Sequence, residues 1–554
     1  MEFDAVLIPP RRAQSIARGW WQDRTINDAL DACVAACPDR IALSALRVED
    51  GSMTRFTYRE MAAMAERIAV GLVRLGVGRN DVVSAQLPNW WEFTLTYLAC
   101  SRIGAVMNPL MPIFRERELS FMLNHSRSKV AIVPKRFRGF DYEAMLNSLK
   151  GSLPALAHVV VVGGETGGQP GANSFEALLS GPPWEQAPDA HAILTRHRPG
   201  PDDVTQLLYT SGTTGEPKGV MHTANTLMSN IVPYAESMRL DGDDVVLMAS
   251  PMAHQTGFMY GLMMPVMLRA TAVLQDIWQP GAALDLIRGE GVTFTMASTV
   301  FLTDLAAAVK ETGRRVPSLR TFLCAGAPIP GPLVEQARAA LGAKIVSAWG
   351  MTELGAVTLT RLDDDDERAF TTDGHPLPGV EVRIVGDDDA PLPPGSVGRL
   401  LTRSCSGFGG YLHRAHLNAT DAGGWFDTGD LASVDAQGYI RISGRSKDVI
   451  IRGGENIPVV EIEALLYRHP AIAGVALVAY PDERLGERAC AVVALRPGEH
   501  IELPDIVEFL KSHHVAMQYI PERLWLVDAL PVTPAGKIQK FRLRDALREA
   551  GLSN

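Results

Sequence analysis

The chain of 554 residues is poor in cysteine, has no long uninterrupted apolar stretch and carries no surplus of positive charge. Its six cysteines, Cys33, Cys37, Cys100, Cys324, Cys405 and Cys490, are too few and too scattered for a disulfide scaffold. Cys33 and Cys37 share the i, i+4 spacing of one helix face, but no second pair or histidine cluster lies nearby. They read as small buried hydrophobes, and free thiols suit a reducing compartment. No segment reaches the roughly 18 apolar residues that a spanning helix needs. The richest, residues 258–268 (FMYGLMMPVML), is short, contains Pro265 and reads as a buried helix. The run from Ala5 to Ile8 is acidic on its N-terminal side and followed by Pro9 and Pro10, unlike a secretory signal. Against 63 acidic residues stand 53 basic ones, a net charge of −10, which argues against a nucleic-acid partner held by broad electrostatics. A cytoplasmic protein is expected; peripheral membrane contact through an apolar patch and homodimer formation stay open.

What is present is an ordinary globular composition, 46% hydrophobic and 21% charged, in a chain too long for one core. Thr57 and Glu60 form a capping-box pattern ahead of the apolar-periodic run Met61 to Leu75, which ends at Gly76. Val82 to Leu87, Val130 to Val133 and Val159 to Val162 read as buried strands, with Asn89 as the cap of a helix through Trp91, Phe93 and Leu98. Strands alternating with helices imply a largely parallel sheet covered on both faces. Residues 163–173 and 181–201 read as surface loops, and the acidic runs 363–367 and 387–389 as solvated loops without the spacing of a calcium site. Turn signals dominate residues 395–444, suggesting a small antiparallel β unit. Beyond Gly444 the pattern is helix, strand, strand, helix, strand. The predicted fold is α/β: a large N-terminal domain of α/β-layered sheets plus a small β unit (1–444), followed by a small α+β C-terminal domain (445–554).

The most specific string is Tyr209-Thr-Ser-Gly-Thr-Thr-Gly-Glu-Pro-Lys-Gly-Val220. It follows an apolar strand. Gly212 and Gly215 permit a tight exposed backbone, Thr210, Ser211, Thr213 and Thr214 offer hydroxyls, and Lys218 adds a cation, a combination suited to nucleotide phosphates. No Walker A pattern can be drawn through it.

This string resembles the phosphate loop of the adenylate-forming superfamily, which holds acyl-CoA synthetases, adenylation domains and beetle luciferases. Further family-like segments follow in order over roughly residues 25–548: Cys324-Ala-Gly-Ala-Pro-Ile329, Ala348-Trp-Gly-Met-Thr-Glu353, Asp427-Thr-Gly-Asp430, Gly444-Arg-Ser-Lys-Asp448, Arg452-Gly-Gly-Glu-Asn-Ile457 and Pro534-Ala-Gly-Lys537. The whole-chain texture is most similar to bacterial cyclohexanecarboxylate–CoA and medium-chain fatty acid–CoA ligases. The resemblance implies attack of a carboxylate on the α-phosphate of ATP, then acyl transfer to coenzyme A. It implies Glu353 as the Mg²⁺ ligand, Thr352 on the α-phosphate and Lys537 bridging carboxylate and phosphate. Asp430 would hold the ribose, with Arg445 beside it. Gly326, Ala327, Pro328, Trp349, Gly350 and Met351 would border the nucleotide, Trp349 standing where the family commonly has tyrosine. Lys447 matches the hinge about which the C-terminal domain swings, and Gly453, Gly454 and Glu455 match the loop lining the coenzyme A tunnel.

His254, in Pro251-Met-Ala-His-Gln-Thr-Gly257, matches a histidine bordering the acyl pocket, where a gating and positioning role is preferred to that of general base. Phe258, Met259, Val300 and Phe301, with Gly326 and Met351, are the candidate lining. This set is apolar, so the acid is expected to be neutral and apolar beyond its carboxylate. Amino-acid-activating relatives place an Asp beside this segment, and none occurs between Pro251 and Val273. The expected partners are thus a small carboxylic acid, ATP and coenzyme A. Loading of a separate carrier protein is the main alternative; a non-catalytic homologue and a luciferase-like oxygenase rank lower.

Overall fold

The computed structural model describes residues 2–3, 5–166, 169–210, 217–326, 329–445, 450–452, 455–482, 486–513, 515, 517–533 and 538–550. Among them, two large sheets make up most of the N-terminal part. One has nine strands, running in space from Met53–Thr57 and Ile41–Leu46 through Thr271–Gln275, Val245–Met248, Phe294–Ala297, Thr321–Ala325 and Lys344–Met351 to Gly355–Leu359 and His375–Pro376. Its middle is parallel and both margins are antiparallel. The other has six strands, in the order Lys218–Thr223, Val204–Thr210, Val106–Pro109, Val82–Ala85, Val130–Pro134 and His158–Val162. Only its outer hairpin is antiparallel. Strands such as Val82–Ala85 and Val130–Pro134 are buried along their whole length, as expected for parallel strands covered on both faces.

A four-stranded antiparallel sheet follows (Val380–Val385, Gly398–Ser404, Phe426–Val434, Ile440–Arg445), beginning some fifteen residues before the turn-rich stretch that announced it. The C-terminal sheet places Gly486–Leu495 between Ile472–Asp482, Ile450–Arg452 and Arg523–Val527, packed against helices Val459–Leu466, Leu503–Ser512 and Lys540–Glu549. Its apolar side chains form clusters of their own, composed entirely of residues beyond 449.

Thr57 and Glu60 close a capping box on helix Tyr58–Arg74, as their spacing predicts. Four local expectations are corrected. Asn89 is not a helix cap: Trp90 occupies that position without a side-chain bond. The Asn89 amide instead donates to the carbonyls of Met248 (3.3 Å), Ser250 (2.9 Å) and Gln275 (3.2 Å) and accepts from Met252 N (2.8 Å), tying the two large sheets together. Residues 181–201 hold a helix, Ala190–His197, in which only Ala190 is buried. Residues 163–173 include a short hairpin, Glu165–Thr166 with Gln169–Pro170. The acidic run 363–367 is also less solvated than expected: Asp366 pairs with Arg338 (2.8 Å) and Lys344 (3.0 Å), and Asp364 accepts from Tyr439 (2.6 Å). Residues 258–268 are a buried helix as expected, but their first part, Gly257–Met263, is wound as a π-helix. Among the described residues no helix is long and apolar enough to cross a membrane, and all six cysteines are free, with Cys37 the one not buried.

Candidate active site

The phosphate-loop string sits on the hairpin at the edge of the six-stranded sheet, where Thr210 stands opposite Lys218. Ser211, Gly212, Thr213, Thr214 and Gly215 lie outside the described residues. At the base of the loop, Thr210 Oγ1 is buried with no hydrogen-bond partner among the described residues. Lys218 Nζ donates to the Tyr411 hydroxyl (2.9 Å) and lies 4.1 Å from the centre of that ring. The Tyr411 hydroxyl in turn donates to Glu353 Oε1 (2.6 Å). A cation at the loop is thereby linked through one phenol to a carboxylate that is 5% exposed.

The backbone around Glu353 is held from several sides. Strand Lys344–Met351 turns back into Gly355–Leu359 with a register shift at Trp349 and Gly350. A methyl group on Gly350 would collide with the Gly355 carbonyl, so this turn requires glycine. His222 Nε2 faces the Thr352 carbonyl (2.8 Å), and its Nδ1 faces the Thr226 hydroxyl (3.0 Å). Burial pushes this imidazole down to about 4, so it is neutral at pH 7. Phe408 N donates to the Glu353 carbonyl (2.8 Å). Asn230 Nδ2 donates to the carbonyls of Leu354 (3.3 Å) and Ala356 (2.7 Å). Tyr260, on the π-helix, donates to Asn230 Oδ1 (2.5 Å) and accepts from Ala356 N (2.8 Å).

Asp430 is buried on strand Phe426–Val434, opposite Arg445 on the neighbouring strand, and its amide donates to Thr428 Oγ1 (3.1 Å). The side chain of Arg445 is outside the described set. Trp349 packs against both the main core and the cluster Ile384, Leu400, Ala432 and Ile440, so its indole stands between the large sheet and the small one. Gly326 ends strand Thr321–Ala325 with φ of 92°, and Ala327 and Pro328 are not described.

On the acyl side the candidate residues separate. Phe258 is fully buried against Phe93 and Tyr97. Phe301 packs on Trp278 in a different cluster. Met259 is buried, Met351 half-buried, and Val300 is 45% exposed at the start of helix Thr299–Thr312. The His254 carbonyl accepts from Phe258 N (3.0 Å), and its Nδ1 accepts from Thr256 N (3.3 Å). Gln255, beside it, is 3% exposed, and neither amide atom has a partner among the described residues; the same holds for the buried Ser298 hydroxyl. Lys447, Gly453, Gly454 and Lys537 lie outside the described residues, and Glu455 is described only as the first residue of strand Glu455–Ile457.

Sequence reasoning missed Tyr411, His222, Asn230 and Tyr260. For His222 a signal existed: on a strand, Lys218 and His222 share a face by the two-residue period. Tyr411 was marked only by the preceding Gly409-Gly410.

Mg²⁺ is a hard cation that keeps several waters and takes one or two carboxylates plus substrate phosphates, not an all-protein cage. The site suits it. Among the described residues no group of three or more metal-ligating side chains exists. Glu353 offers one fixed carboxylate, with Oε1 held by Tyr411 and Oε2 without a protein partner among the described residues.

Comparison with known proteins shows the family. The AMP-binding enzyme family matches residues 30–412, and the AMP-binding enzyme C-terminal domain matches residues 461–537. A medium-chain fatty-acid–CoA ligase of Escherichia coli (strain K12) is 36% identical over 538 residues, covering 96% of this chain and 92% of that one. A salicylyl-CoA synthase / salicylate adenylyltransferase of a Streptomyces species is 36% identical over 536 residues, covering 96% and 95%. Among solved structures, ATP-bound MatB from Rhodopseudomonas palustris superposes with a TM-score of 0.80 at 26% identity, over 95% of this chain and 100% of that one.

Proposed function

The chain belongs to the AMP-binding enzyme family as an AMP-forming acyl-CoA synthetase, and from that premise we propose the acid it takes and the residues that act. In the first step a carboxylate oxygen attacks the α-phosphorus of ATP. The bond to pyrophosphate breaks, leaving an acyl-adenylate. In the second the coenzyme A thiol sulfur attacks the acyl carbon, AMP departs and the thioester forms. The first step brings anions together, so its barrier is lowered chiefly by fixed positive charge and donors. Thr210 to Gly215 with Lys218 hold the phosphates, Thr352 and Lys537 face the α-phosphate and carboxylate, Asp430 and Arg445 hold the ribose side, and Gly326 to Pro328 with Trp349, Gly350 and Met351 border the base. Glu353 would hold Mg²⁺, which would supply charge neutralisation on the phosphates. The observation that carries this reading is the chain Lys218–Tyr411–Glu353, which fixes a buried carboxylate at the base of the phosphate loop.

The proposed division into 1–444 and 445–554 is supported by the separate apolar clusters beyond residue 449. Gly453, Gly454 and Glu455 are assigned to the thiol channel, and Lys447 to the hinge.

The substrate we propose is a neutral, largely apolar acid, alicyclic or medium-chain, admitted past His254 and bordered by Met259, Val300 and Met351, with Phe258 and Phe301 backing the walls. The segment beside His254 carries no carboxylate to bind a substrate ammonium. A second reading is favoured by Gln255 and Ser298: their buried polar atoms, without partners among the described residues, suit an acid bearing a hydrogen-bonding group, such as a hydroxylated aryl acid.

The test is pyrophosphate release from a panel of acids, with and without coenzyme A. Alkyl and cyclohexyl acids are expected to lead, with thioester formed only when the thiol is present. Preference for hydroxybenzoates would select the second reading. Acyl transfer to a carrier protein but not to coenzyme A would overturn the acceptor.

A further inference from the structure

Residues 5–25 precede the part of the chain that the family matches, yet they lie against the backbone that supports Glu353. Helix Pro9–Ala17 and the segment after it are seated by Ile8 and Trp21, 4% and 2% exposed. From this helix the Arg11 guanidinium reaches residues 405–412, all of them buried. Its Nη2 donates to the carbonyls of Gly407 and of Phe408 (2.9 Å), while Nε turns back to the Leu7 carbonyl (2.9 Å). A Cβ at Gly407 would stand 2.5 Å from Arg11 Nη1, so a side chain there would displace the guanidinium from its present position. Trp21 Nε1 adds a bond to the Cys405 carbonyl (2.9 Å), and Ala5 packs against Gly409. Burial pushes the Arg11 guanidinium down to about 10, which leaves it charged at neutral pH.

The segment so clamped does two things at the site. Phe408 N holds the Glu353 carbonyl, and Tyr411 holds the Glu353 carboxylate and Lys218. Its far side is laced to the phosphate-loop hairpin: Gly409 N donates to Met221 O (2.7 Å), Met221 N to Gly410 O (3.0 Å) and Leu412 N to Gly219 O (2.9 Å). Residues 405–412 thus form a splint between the hairpin and Glu353. Arg11 satisfies two carbonyls of that splint that no other described group is seen to reach, with the strength of a charge-assisted bond.

We propose that Arg11 is a positioning residue for adenylation, holding the splint so that Tyr411 presents Glu353 to the metal-bound triphosphate of ATP. This rests on the reading of Glu353 as the Mg²⁺ ligand, and the test separates the two. ATP binding is measured calorimetrically on the full chain with and without Mg²⁺, for the unmodified enzyme, Arg11→Gln, Arg11→Lys, Glu353→Gln and Arg12→Gln. Arg11→Gln is expected to weaken binding about tenfold in Mg²⁺, equivalent to about 1.4 kcal/mol, and less than roughly twofold without it. Arg11→Lys, which keeps the charge but not the fork, is expected to fall between. Arg12 pairs with Asp23 and Asp202 and does not touch the splint, so Arg12→Gln should bind as the unmodified chain does. Equal loss by Arg11→Gln with and without Mg²⁺, no loss at all, or the same Mg²⁺-specific loss in Arg12→Gln would overturn the proposal. If Glu353→Gln shows no Mg²⁺-specific loss, the metal assignment fails, whatever Arg11 does. Should Arg11→Gln not fold, Arg11→Lys decides: unchanged affinity in Mg²⁺ overturns the role.

Discussion

At the scale of single residues, the two nitrogens of His222 have unequal partners. The Thr352 carbonyl only accepts, so Nε2 carries the proton and Nδ1 accepts from the Thr226 hydroxyl. Burial holds this imidazole near 4, against about 6.5 in an unfolded chain. Above about pH 6.5 both states are neutral at this site and its contribution to stability is fully present. Between 6.5 and 4 the unfolded chain takes up a proton that the native site refuses, so stability falls, by on the order of 3 kcal/mol in all. His222→Gln should therefore cost stability at pH 7.5 and progressively less on acidification. Urea midpoints of both proteins between pH 7.5 and 4.5 check this; a gap that stays constant would remove the imidazole from the explanation. The charged groups proposed for the site, Lys218, Glu353 and Asp430, stood out in the sequence because each is embedded in a specific string. Their supports, Tyr411, Asn230, Tyr260 and Arg11, were not. A hydrogen bond between residues 58 positions apart, as between Tyr411 and Glu353, leaves no local pattern.

At the scale of elements, the π-helix Gly257–Met263 serves the site through one hydroxyl. Tyr260 joins Asn230 to the amide of Ala356, fixing the turn that follows Glu353. Tyr260→Phe leaves two buried polar groups without that partner, a cost of about 2 kcal/mol. Tyr234, which stacks on Tyr260 at 4.1 Å between ring centres, directs its hydroxyl at Met296 sulfur (3.1 Å). Tyr234→Phe should cost clearly less, since a thioether is a weak acceptor. Thermal unfolding of the two variants tests the ranking, and equal losses would show that ring packing rather than the hydroxyl holds the turn. The strands were readable because parallel strands buried on both faces appear as short apolar runs. The π-turn was not, because a segment apolar on every side carries no angular period to distinguish 3.6 residues per turn from more. Helix Ala190–His197 was hidden for the opposite reason: with one buried residue it has almost no apolar face, and its flanks are rich in proline and glycine. Asn89 matched a cap in sequence, but three carbonyls of the neighbouring nine-stranded sheet gave its amide better use.

At the scale of the whole molecule, one site must perform two chemistries with opposite needs. Adenylation needs a cation at the α-phosphate and carboxylate. Thiolysis needs that cation withdrawn and a narrow thiol admitted, which an exchange of the C-terminal unit about a hinge would accomplish. The C-terminal sheet and its helices have apolar clusters of their own, so rigid rotation need not disturb either large sheet. Lys447, outside the described residues, is the proposed pivot, and Lys537, likewise outside them, the proposed cation. Proline at the pivot would fix φ near −65° and remove a backbone donor, while leaving the adenylating residues untouched. Lys447→Pro should therefore keep pyrophosphate release in a single turnover within about threefold of the unmodified enzyme and slow thioester formation from coenzyme A by a hundredfold or so, a barrier change of about 2.7 kcal/mol. Lys537→Ala should do the reverse, abolishing adenylate formation from acid and ATP yet largely sparing thioester formation from supplied acyl-adenylate. The crossed pattern is the diagnostic. A generally damaged protein loses both half-reactions together, and a site without alternation gives no reason for the two lysines to affect different steps. Both half-reactions measured in both variants, with losses that run in parallel, would leave the hinge without support.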